Sequence, residues 1–314
     1  MTTVLPLDHT YVLPTKVITN QNELNQFLAT DTARSLLSFI QRMGDGVVGL
    51  ANDAPCTVSQ ATESILNMLD IMSGWIDEIP PLAQPMRYGN KAYRTWHQRM
   101  VDNIATLHQQ MLPQNLHHAI VELCPYIIDA MGNATRLDYG TGHELHFVVW
   151  MYCLRAIGFV NQDDEKALVL RVFPRYLSSL ARKLQTVYGL EPAGTHGVWS
   201  LDDYQFIPFI WGAAQLTDNP SIKPVDILKA GVVDQNYNNY MYLACIKFIN
   251  TVKKGPFHEH SPDLYNITGA ASWAKIHQGM MKKFYAEVMT KVPIIQHFLF
   301  GSILPFSTGA SNRS

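Results

Sequence analysis

The sequence predicts an all-α protein that folds as a single compact multi-helix domain. Apolar residues recur at steps of three and four along most of the chain, which is the spacing that places them on one face of a helix. No alternating apolar run of useful length is flanked by an Asn-Gly or Asp-Gly turn, so strands are not predicted. The absence of a repeat of fixed length argues against a solenoid.

Helices are predicted in order along the chain. The helix at 57–79 carries Met68 and Met72 on its apolar face, with Thr57 as its predicted cap and Pro80–Pro81 as its end. A second helix is predicted at 90–112 and a third after Pro113. Further helices are predicted at 141–159, 163–188, 201–216, 235–252, 271–291 and 293–300. Three long loops rich in Gly, Pro, His and aromatic residues (79–90, 189–203 and 253–267) are the expected location of binding sites.

The composition fits a soluble globular core. Of the 314 residues, 47% are hydrophobic and 16% are charged, and the formal net charge is -2. Charges of both signs are spread along the chain, so we expect no nucleic acid among its ligands. The longest apolar stretch, 147–160, is too short to span a bilayer and contains Arg155, so no membrane association is expected.

The cysteines and the start of the chain indicate a reducing compartment. Four cysteines lie far apart without forming a CxxC pair, and free thiols are therefore expected. No basic-then-apolar signal segment opens the chain. These features predict a cytoplasmic protein, and they are also compatible with entry into the nucleus.

The segment RLDYGTGHELHF (136–147) has the residue types of a phosphate site. Gly140 and Gly142 would let the backbone approach a ligand closely, and Thr141 supplies a hydroxyl. The helix that follows offers free N–H groups and the positive end of its dipole. Arg136 would complete an anion site.

Two other interpretations of this segment remain open on residue types alone. In the simpler one, which those types favour, Thr141 caps the helix and Glu144, three residues later, completes a capping box. A zinc site is the least favoured, because His143 and His146 are three residues apart and no third ligand is indicated.

A second segment, GVWSLDDYQFIPFIWG (197–212), surrounds two adjacent carboxylates with aromatic residues. Asp202 or Asp203 would be favourable at the start of a helix whose aromatic residues belong to the core. Alternatively, a carboxylate would lie at an aromatic-lined cleft suited to a metal-bound phosphate or a peptide. The residues alone do not decide between the two.

Several long segments together resemble the phosphotyrosyl phosphatase activator family, in particular its fungal-type members. They are RYGNKAYRTWH (87–97), RLDYGTGHE (136–144), EPAGTHGVWSLDDYQFIPFIWGAAQL (191–216), GPFHEHSPDLYNI (255–267), SWAKIHQGMMKKFYAEV (272–288) and VPIIQHFLFGSILP (292–305). The resemblance places the family domain at 15–306, between an N-terminal extension at 1–14 and a tail at 307–314 that is predicted to be disordered. Ser200 departs from the family, which usually has Gly after the Trp.

The resemblance implies an all-helical domain with core and lid regions around a deep cleft. It also implies an activator of serine/threonine protein phosphatase 2A that acts as a peptidyl-prolyl cis/trans isomerase and binds ATP with magnesium. The implied partners are the phosphatase catalytic subunit, with or without its scaffold subunit, and a proline-containing peptide. ATPase activity is expected only as a composite with the phosphatase, because no Walker lysine and no base for water are apparent.

The resemblance also assigns residues. The family's nucleotide contacts correspond to Arg136, Thr141, Gly142, Pro293, Gln296 and His297, and its magnesium contacts correspond to Gly197 and Asp203.

The isomerase hypothesis uses the segment 194–206, with Trp199 and Tyr204 as the walls of a proline cleft. Asp202 and Asp203 would orient the peptide or hold a metal. A different class of function is a non-catalytic conformational chaperone, which would favour one state of the phosphatase by binding that state. A metal hydrolase is a third and weaker alternative.

Overall fold

Helices form nearly all of the regular structure, so the all-α prediction is confirmed. The computed structural model describes residues 2–84, 89–194 and 200–306. The tail predicted at 307–314 lies outside these residues. The domain bounds, and the division into core and lid around a deep cleft, stay predictions.

In the first part of the chain, the described residues form five helices before the predicted phosphate segment, and a sixth begins within it. They are α1 (Gln21–Leu28), α2 (Asp31–Asp45), α3 (Gln60–Glu78), α4 (Ala92–Met111), α5 (Ile120–Asp129) with a preceding 3-10 turn (Gln114–Ala119), and α6 (Thr141–Ala156). In α3 the cap is Ser59, whose hydroxyl accepts the Thr62 N–H at 3.2 Å, so the prediction of Thr57 as the cap is wrong.

A single continuous helical segment follows. It consists of α7 (Glu165–Ala167), α8 (Phe173–Tyr176) and α9 (Arg182–Tyr188), joined by π-helical turns at Leu168–Val172 and Leu177–Ala181. Pro174 has no N–H to donate inside this segment. The π turn before it lets the chain pass the proline without ending the helix, and the Leu170 carbonyl accepts from the Arg171 side chain at 3.2 Å instead.

The last part of the chain contains α10 (Ile207–Gln215), a 3-10 turn (Pro224–Leu228), α11 (Ala230–Asn236), α12 (Met241–Val252), α13 (Phe257–His260), α14 (Pro262–Ile267), α15 (Trp273–Phe284) extended by a π turn (Tyr285–Met289), and α16 (Val292–Ile295). The helix predicted at 235–252 is therefore divided. The Asn52 side-chain amide donates to the Asn238 carbonyl at 2.9 Å, and its backbone N–H donates to the Asn239 carbonyl at 2.7 Å. These two carbonyls therefore do not take part in a continuous helix.

Helix α10 lies at the centre of the core. Every residue from Ile207 to Gln215 is buried, and the helix packs on α2, α12 and α15. Gly212 allows α12 to approach closely, since a Cβ atom at this position would lie 2.3 Å from the Tyr242 backbone nitrogen. No helix among the described residues is both long and apolar enough to cross a membrane.

The described residues form two short strand pairs, one that joins distant parts of the sequence and one that lies beside the start of α6. Strands β1 (Thr15–Lys16) and β4 (Leu299–Phe300) pair antiparallel, and β2 (Asp138–Tyr139) and β3 (Glu191–Pro192) pair parallel. The first pair brings Lys16 beside the segment that follows α16. The second brings the start of α6 beside residues 193–194.

The segment before β1 is anchored by a buried carboxylate. Glu122 on α5 accepts the Val12 N–H at 3.3 Å, the Ser302 hydroxyl at 2.6 Å and the Ile303 N–H at 2.7 Å. Leu5 donates its N–H to the Ala156 carbonyl at 2.8 Å. These contacts tie both ends of the described chain to α5 and α6.

Candidate functional site

The start of α6 presents unpaired backbone N–H groups. Gly140 is the N-cap residue, and its carbonyl accepts the N–H groups of His143 and Glu144 at 2.9 and 3.1 Å. No side chain caps the helix, so the expected capping box of Thr141 and Glu144 is wrong. Within the described residues, the N–H groups of Thr141 and Gly142 have no hydrogen-bond partner. Such groups at a helix N-terminus bind anions well.

Glu144 points away from this opening and caps α10 instead. Its Oε2 accepts the N–H groups of Phe206 and Ile207 at 2.7 and 2.9 Å. The side chain is fully buried, and Oε1 has no hydrogen-bond partner among the described residues. Burial raises the pKa of this carboxyl to about 8, although the two N–H groups act to lower it.

A cavity of about 540 Å³ opens beside the start of α6. Its lining includes all six residues that the family motifs assign to the nucleotide, namely Arg136, Thr141, Gly142, Pro293, Gln296 and His297. They come from α6, from the loop before it and from the segment that contains α16. The volume lies within the range typical of small-molecule sites, which is roughly 300–1,000 Å³.

The charges around the cavity favour an anion. Lys16 and Lys291 line it, and neither makes an ion pair within the described part of the chain. Arg136 also lines it and forms a bidentate pair with Asp138, in which Nε and Nη2 lie 2.6 and 3.2 Å from the carboxylate oxygens. Asp129 is a second acidic group in the lining. The cations therefore outnumber the carboxylates by three to two.

Two ionisable groups in the lining have shifted pKa values. Burial acts to raise the pKa of Asp138, but hydrogen bonds from His143 and Arg136 outweigh it and hold the pKa below its usual value. Burial, together with the nearby Lys16 and Arg136, lowers the pKa of His297. At pH 7 the Asp138 carboxyl is therefore charged and the His297 ring is neutral.

The two histidines of the zinc interpretation form local hydrogen bonds. His143 Nδ1 donates to the Asp129 carbonyl at 2.5 Å, and His146 Nδ1 donates to the Gly142 carbonyl at 2.8 Å. His146 Nδ1 also lies 3.3 Å from the Asp129 carboxylate. Among the described residues, no group of three or more His, Cys, Asp or Glu side chains is arranged to hold a metal ion.

The described residues of the predicted proline cleft form hydrogen bonds or ion pairs with other groups of the chain. The Asp202 carboxylate is buried, and its Oδ2 accepts the N–H groups of Tyr204 and Gln205 at 3.1 and 2.9 Å. This turn is not helical, so α10 begins at Ile207 rather than at the predicted residue 201. Burial raises the pKa of Asp202. The Tyr204 hydroxyl donates to the Leu190 carbonyl at 3.0 Å.

Neither Asp202 nor Asp203 lines the larger cavity, but Asp202 lines a neighbouring space. A smaller space of about 150 Å³ is lined by Asp202 and shares Thr141 and Lys291 with that cavity. The Asp203 carboxylate instead pairs with Lys253, whose Nζ lies 2.8 Å away. The other predicted residues, Gly197 and Trp199, lie outside the described residues, so the magnesium assignment and the cleft wall stay predictions.

Comparison with known proteins agrees with the sequence motifs. A sequence model of the family described as "Phosphotyrosyl phosphate activator (PTPA) protein" matches residues 14–306. The chain belongs to the PTPA family. This PTPA-family chain is 61% identical over 301 residues to the "Probable serine/threonine-protein phosphatase 2A activator 1" of Dictyostelium discoideum, which covers 96% of this chain and 92% of that protein.

The PTPA family also includes similar fungal proteins. The chain is 40% identical over 297 residues to "Serine/threonine-protein phosphatase 2A activator 1" of Schizosaccharomyces pombe, covering 94% of this chain and 91% of that one. A crystal structure of "the PP2A phosphatase activator Ypa1 PTPA1" superposes with a TM-score of 0.91 at 32% identity, covering 98% of this chain and 99% of the other. The resemblance inferred from the motifs is confirmed.

Several residues that line the cavity beside α6 were not predicted from the sequence. Lys16 lies in a two-residue strand that no pattern predicts, and Asp129 ends α5 without a recognisable motif. Asp138 lies within the motif at 136–144, and Lys291 directly precedes the motif at 292–305. The motifs could therefore have identified both residues.

Proposed function

We propose that the chain activates a serine/threonine protein phosphatase 2A and binds ATP in the cavity beside α6. Activation is supported by the relatives, which are named as phosphatase 2A activators and match nearly the whole chain. Nucleotide binding is supported by one observation above all: the six residues that the family motifs assign to the nucleotide line the same cavity.

The chemistry of the cavity fits the phosphates of a nucleotide. The unpaired N–H groups of Thr141 and Gly142 would donate to phosphate oxygens, and Lys16 and Lys291 would balance their charge. Magnesium is proposed to accompany the nucleotide and to be held largely by its phosphates, as is usual for this ion. Among the described residues, no group of three or more His, Cys, Asp or Glu side chains is arranged to hold the ion without the nucleotide.

Replacing Lys291 by Ala is expected to weaken ATP binding about tenfold, which corresponds to about 1.4 kcal/mol. The change removes an unpaired cation that lines both the larger and the smaller space. Titration calorimetry with ATP and magnesium measures the affinity. Lys275→Ala is the matched control, because Lys275 is an exposed lysine on α15 and does not line either space.

The phosphatase assay completes this test. If the nucleotide supports activation, Lys291→Ala activates less phosphatase at limiting ATP and recovers at high ATP, whereas Lys275→Ala behaves like the natural protein. Equal ATP affinity for the two variants would rule out the proposed phosphate site.

We further propose that activation uses peptidyl-prolyl cis/trans isomerisation. This reaction needs no covalent chemistry, because its barrier of roughly 20 kcal/mol arises from twisting the amide out of resonance. A site that binds the twisted amide more tightly than either planar form lowers that barrier. The proposed site is the segment 200–206 with Trp199, where Tyr204 is partly buried with its hydroxyl fixed by Leu190.

A conformational chaperone is the alternative. The Asp202 carboxylate holds backbone N–H groups and the Asp203 carboxylate pairs with Lys253, so neither is free for the role of orienting a peptide that the isomerase hypothesis gives it. Binding one state of the phosphatase shifts its population without catalysis.

Turnover distinguishes the two functions. A catalyst present at about one tenth of the phosphatase concentration is expected to activate nearly all of the phosphatase given time, because each molecule acts repeatedly. A chaperone that stays bound would activate only a matching fraction. The measurement is the final phosphatase activity as a function of the molar ratio.

A further inference from the structure

The first turn of α6 makes contacts in two directions. On one side, Thr141 and Gly142 line the cavity with unpaired N–H groups. On the other side, the Glu144 carboxylate enters the core and holds the Phe206 and Ile207 N–H groups. A single helical turn therefore lies between the cavity and the start of α10.

We propose that Glu144 is a positioning residue that couples the occupancy of the nucleotide cavity to the position of the loop 200–206. The inference rests on the proposed nucleotide site. A phosphate drawn toward the Thr141 and Gly142 N–H groups pulls on the first turn of α6. Through Glu144, that displacement acts on the residue at which the loop joins α10.

Consecutive backbone N–H groups of the loop 200–206 are held by two carboxyl groups. The Asp202 carboxylate holds the N–H groups of Tyr204 and Gln205, and the next N–H group along the chain, that of Phe206, is held by Glu144. Two buried carboxylates thus fix consecutive backbone groups. A movement of Glu144 is passed directly to the segment that carries Asp202, Asp203 and Tyr204.

One carboxyl oxygen of Glu144 is not used in the present arrangement. Its Oε1 has no hydrogen-bond partner among the described residues, and the side chain of Gln205, the residue before Phe206, is buried. Buried polar groups that lack partners are uncommon, and they are consistent with a second arrangement in which partners are exchanged.

The ionisable groups that face Glu144 come from several elements. Asp202 in the loop opposes its charge, and Arg182 on α9 favours it. Tyr139 on β2 and Tyr176 on α8 form a buried hydroxyl pair at 2.6 Å and also interact with its charge. Cys245 on α12 also interacts with its charge and accepts a hydrogen bond from Arg182.

Hydrogen–deuterium exchange on the full chain tests the coupling. In the natural protein, ATP with magnesium chloride is expected to slow amide exchange in residues 200–210 by about threefold or more. In Glu144→Ala, ATP still binds but this protection is lost. In Glu144→Gln, whose side-chain oxygen still accepts both N–H groups, the protection is retained.

A matched control separates coupling from stability. Glu122→Ala removes another buried carboxyl, on α5 and outside the lining of the cavity, and is expected to lower stability while keeping the ATP-induced protection at 200–210. Should Glu144→Ala not fold, Glu144→Asp carries the same test, because its shorter side chain does not reach both N–H groups.

The outcomes separate the two proposals. ATP-induced protection that persists in Glu144→Ala or Glu144→Asp at the natural level overturns the coupling and leaves the nucleotide site standing. Protection lost equally in Glu122→Ala also overturns the coupling, since the effect is then one of general stability. Absence of ATP binding to the natural protein overturns both.

Discussion

Replacing Glu144 by Gln flattens the dependence of stability on pH between about 5 and 8. Burial raises the pKa of Glu144 from 4.5 to about 8 in the folded protein. Between these values the folded chain holds a proton that the unfolded chain has released, so the natural protein loses stability as the pH rises. Glutamine carries no such proton, and the variant is expected to lack this loss.

The expected effect is large because each unit of pKa shift corresponds to about 1.4 kcal/mol. The free energy of unfolding of the natural protein should fall by up to about 3–5 kcal/mol across the window from this group, and remain level above it. From pH 5 to pH 8, the free energy of unfolding of the variant should therefore rise relative to that of the natural protein. Urea unfolding at several pH values in this window measures the difference.

An exposed glutamate provides the control. A hydrogen bond from the Thr19 backbone N–H, with a second from its hydroxyl, lowers the pKa of Glu23. This group contributes stability above its unfolded pKa and loses it only at more acidic pH. Glu23→Gln should run parallel to the natural protein between pH 5 and 8, and a parallel curve for Glu144→Gln would contradict the assignment.

Replacing Gly212 by Ala is expected to lower the free energy of unfolding by about 3 kcal/mol or more, since overpacking a rigid core typically costs 1–3 kcal/mol and here meets backbone. The added Cβ would lie 2.3 Å from the Tyr242 nitrogen and 2.9 Å from its Cα. Backbone atoms cannot rotate away as a flexible side chain can. Helices α10 and α12 would have to separate, although α10 is also held by α2 and α15.

Gly279 is the matched control for this substitution. It lies in α15, and a Cβ atom added there meets nothing within 4 Å. Gly279→Ala should stabilise the protein by up to about 1 kcal/mol, because alanine favours the helix. Thermal unfolding of the two variants under identical conditions makes the comparison, and similar melting temperatures would contradict the packing argument.

The sequence predicted those parts of the fold that depend on local pattern. Helix α3 was predicted from its apolar spacing, and its buried Met68 and Met72 lie where that spacing puts them. The predicted start of α10 was wrong because the observed start depends on Asp202 and on Glu144, which is distant in the sequence. Local periodicity carries no information about a cap supplied by another helix.

The candidate site shows the same limit. Residue types alone favoured a capped start of α6, and the expected capping box is not formed because Glu144 turns into the core. The cavity residues were named through the family motifs rather than through spacing. Lys16 joins them only because β1 pairs with β4, a contact between nearly opposite ends of the sequence.

That pairing has a consequence for synthesis on the ribosome. The lining of the cavity combines Lys16 and the start of α6 with residues between 291 and 297. The nascent chain emerges from its N-terminal end, so Lys16 and the start of α6 are made before residues 291–297 have been translated. A chain interrupted before α16 lacks part of the cavity lining and has an unpaired β1. The cavity that is proposed to bind the nucleotide is therefore completed late, together with the strand pair.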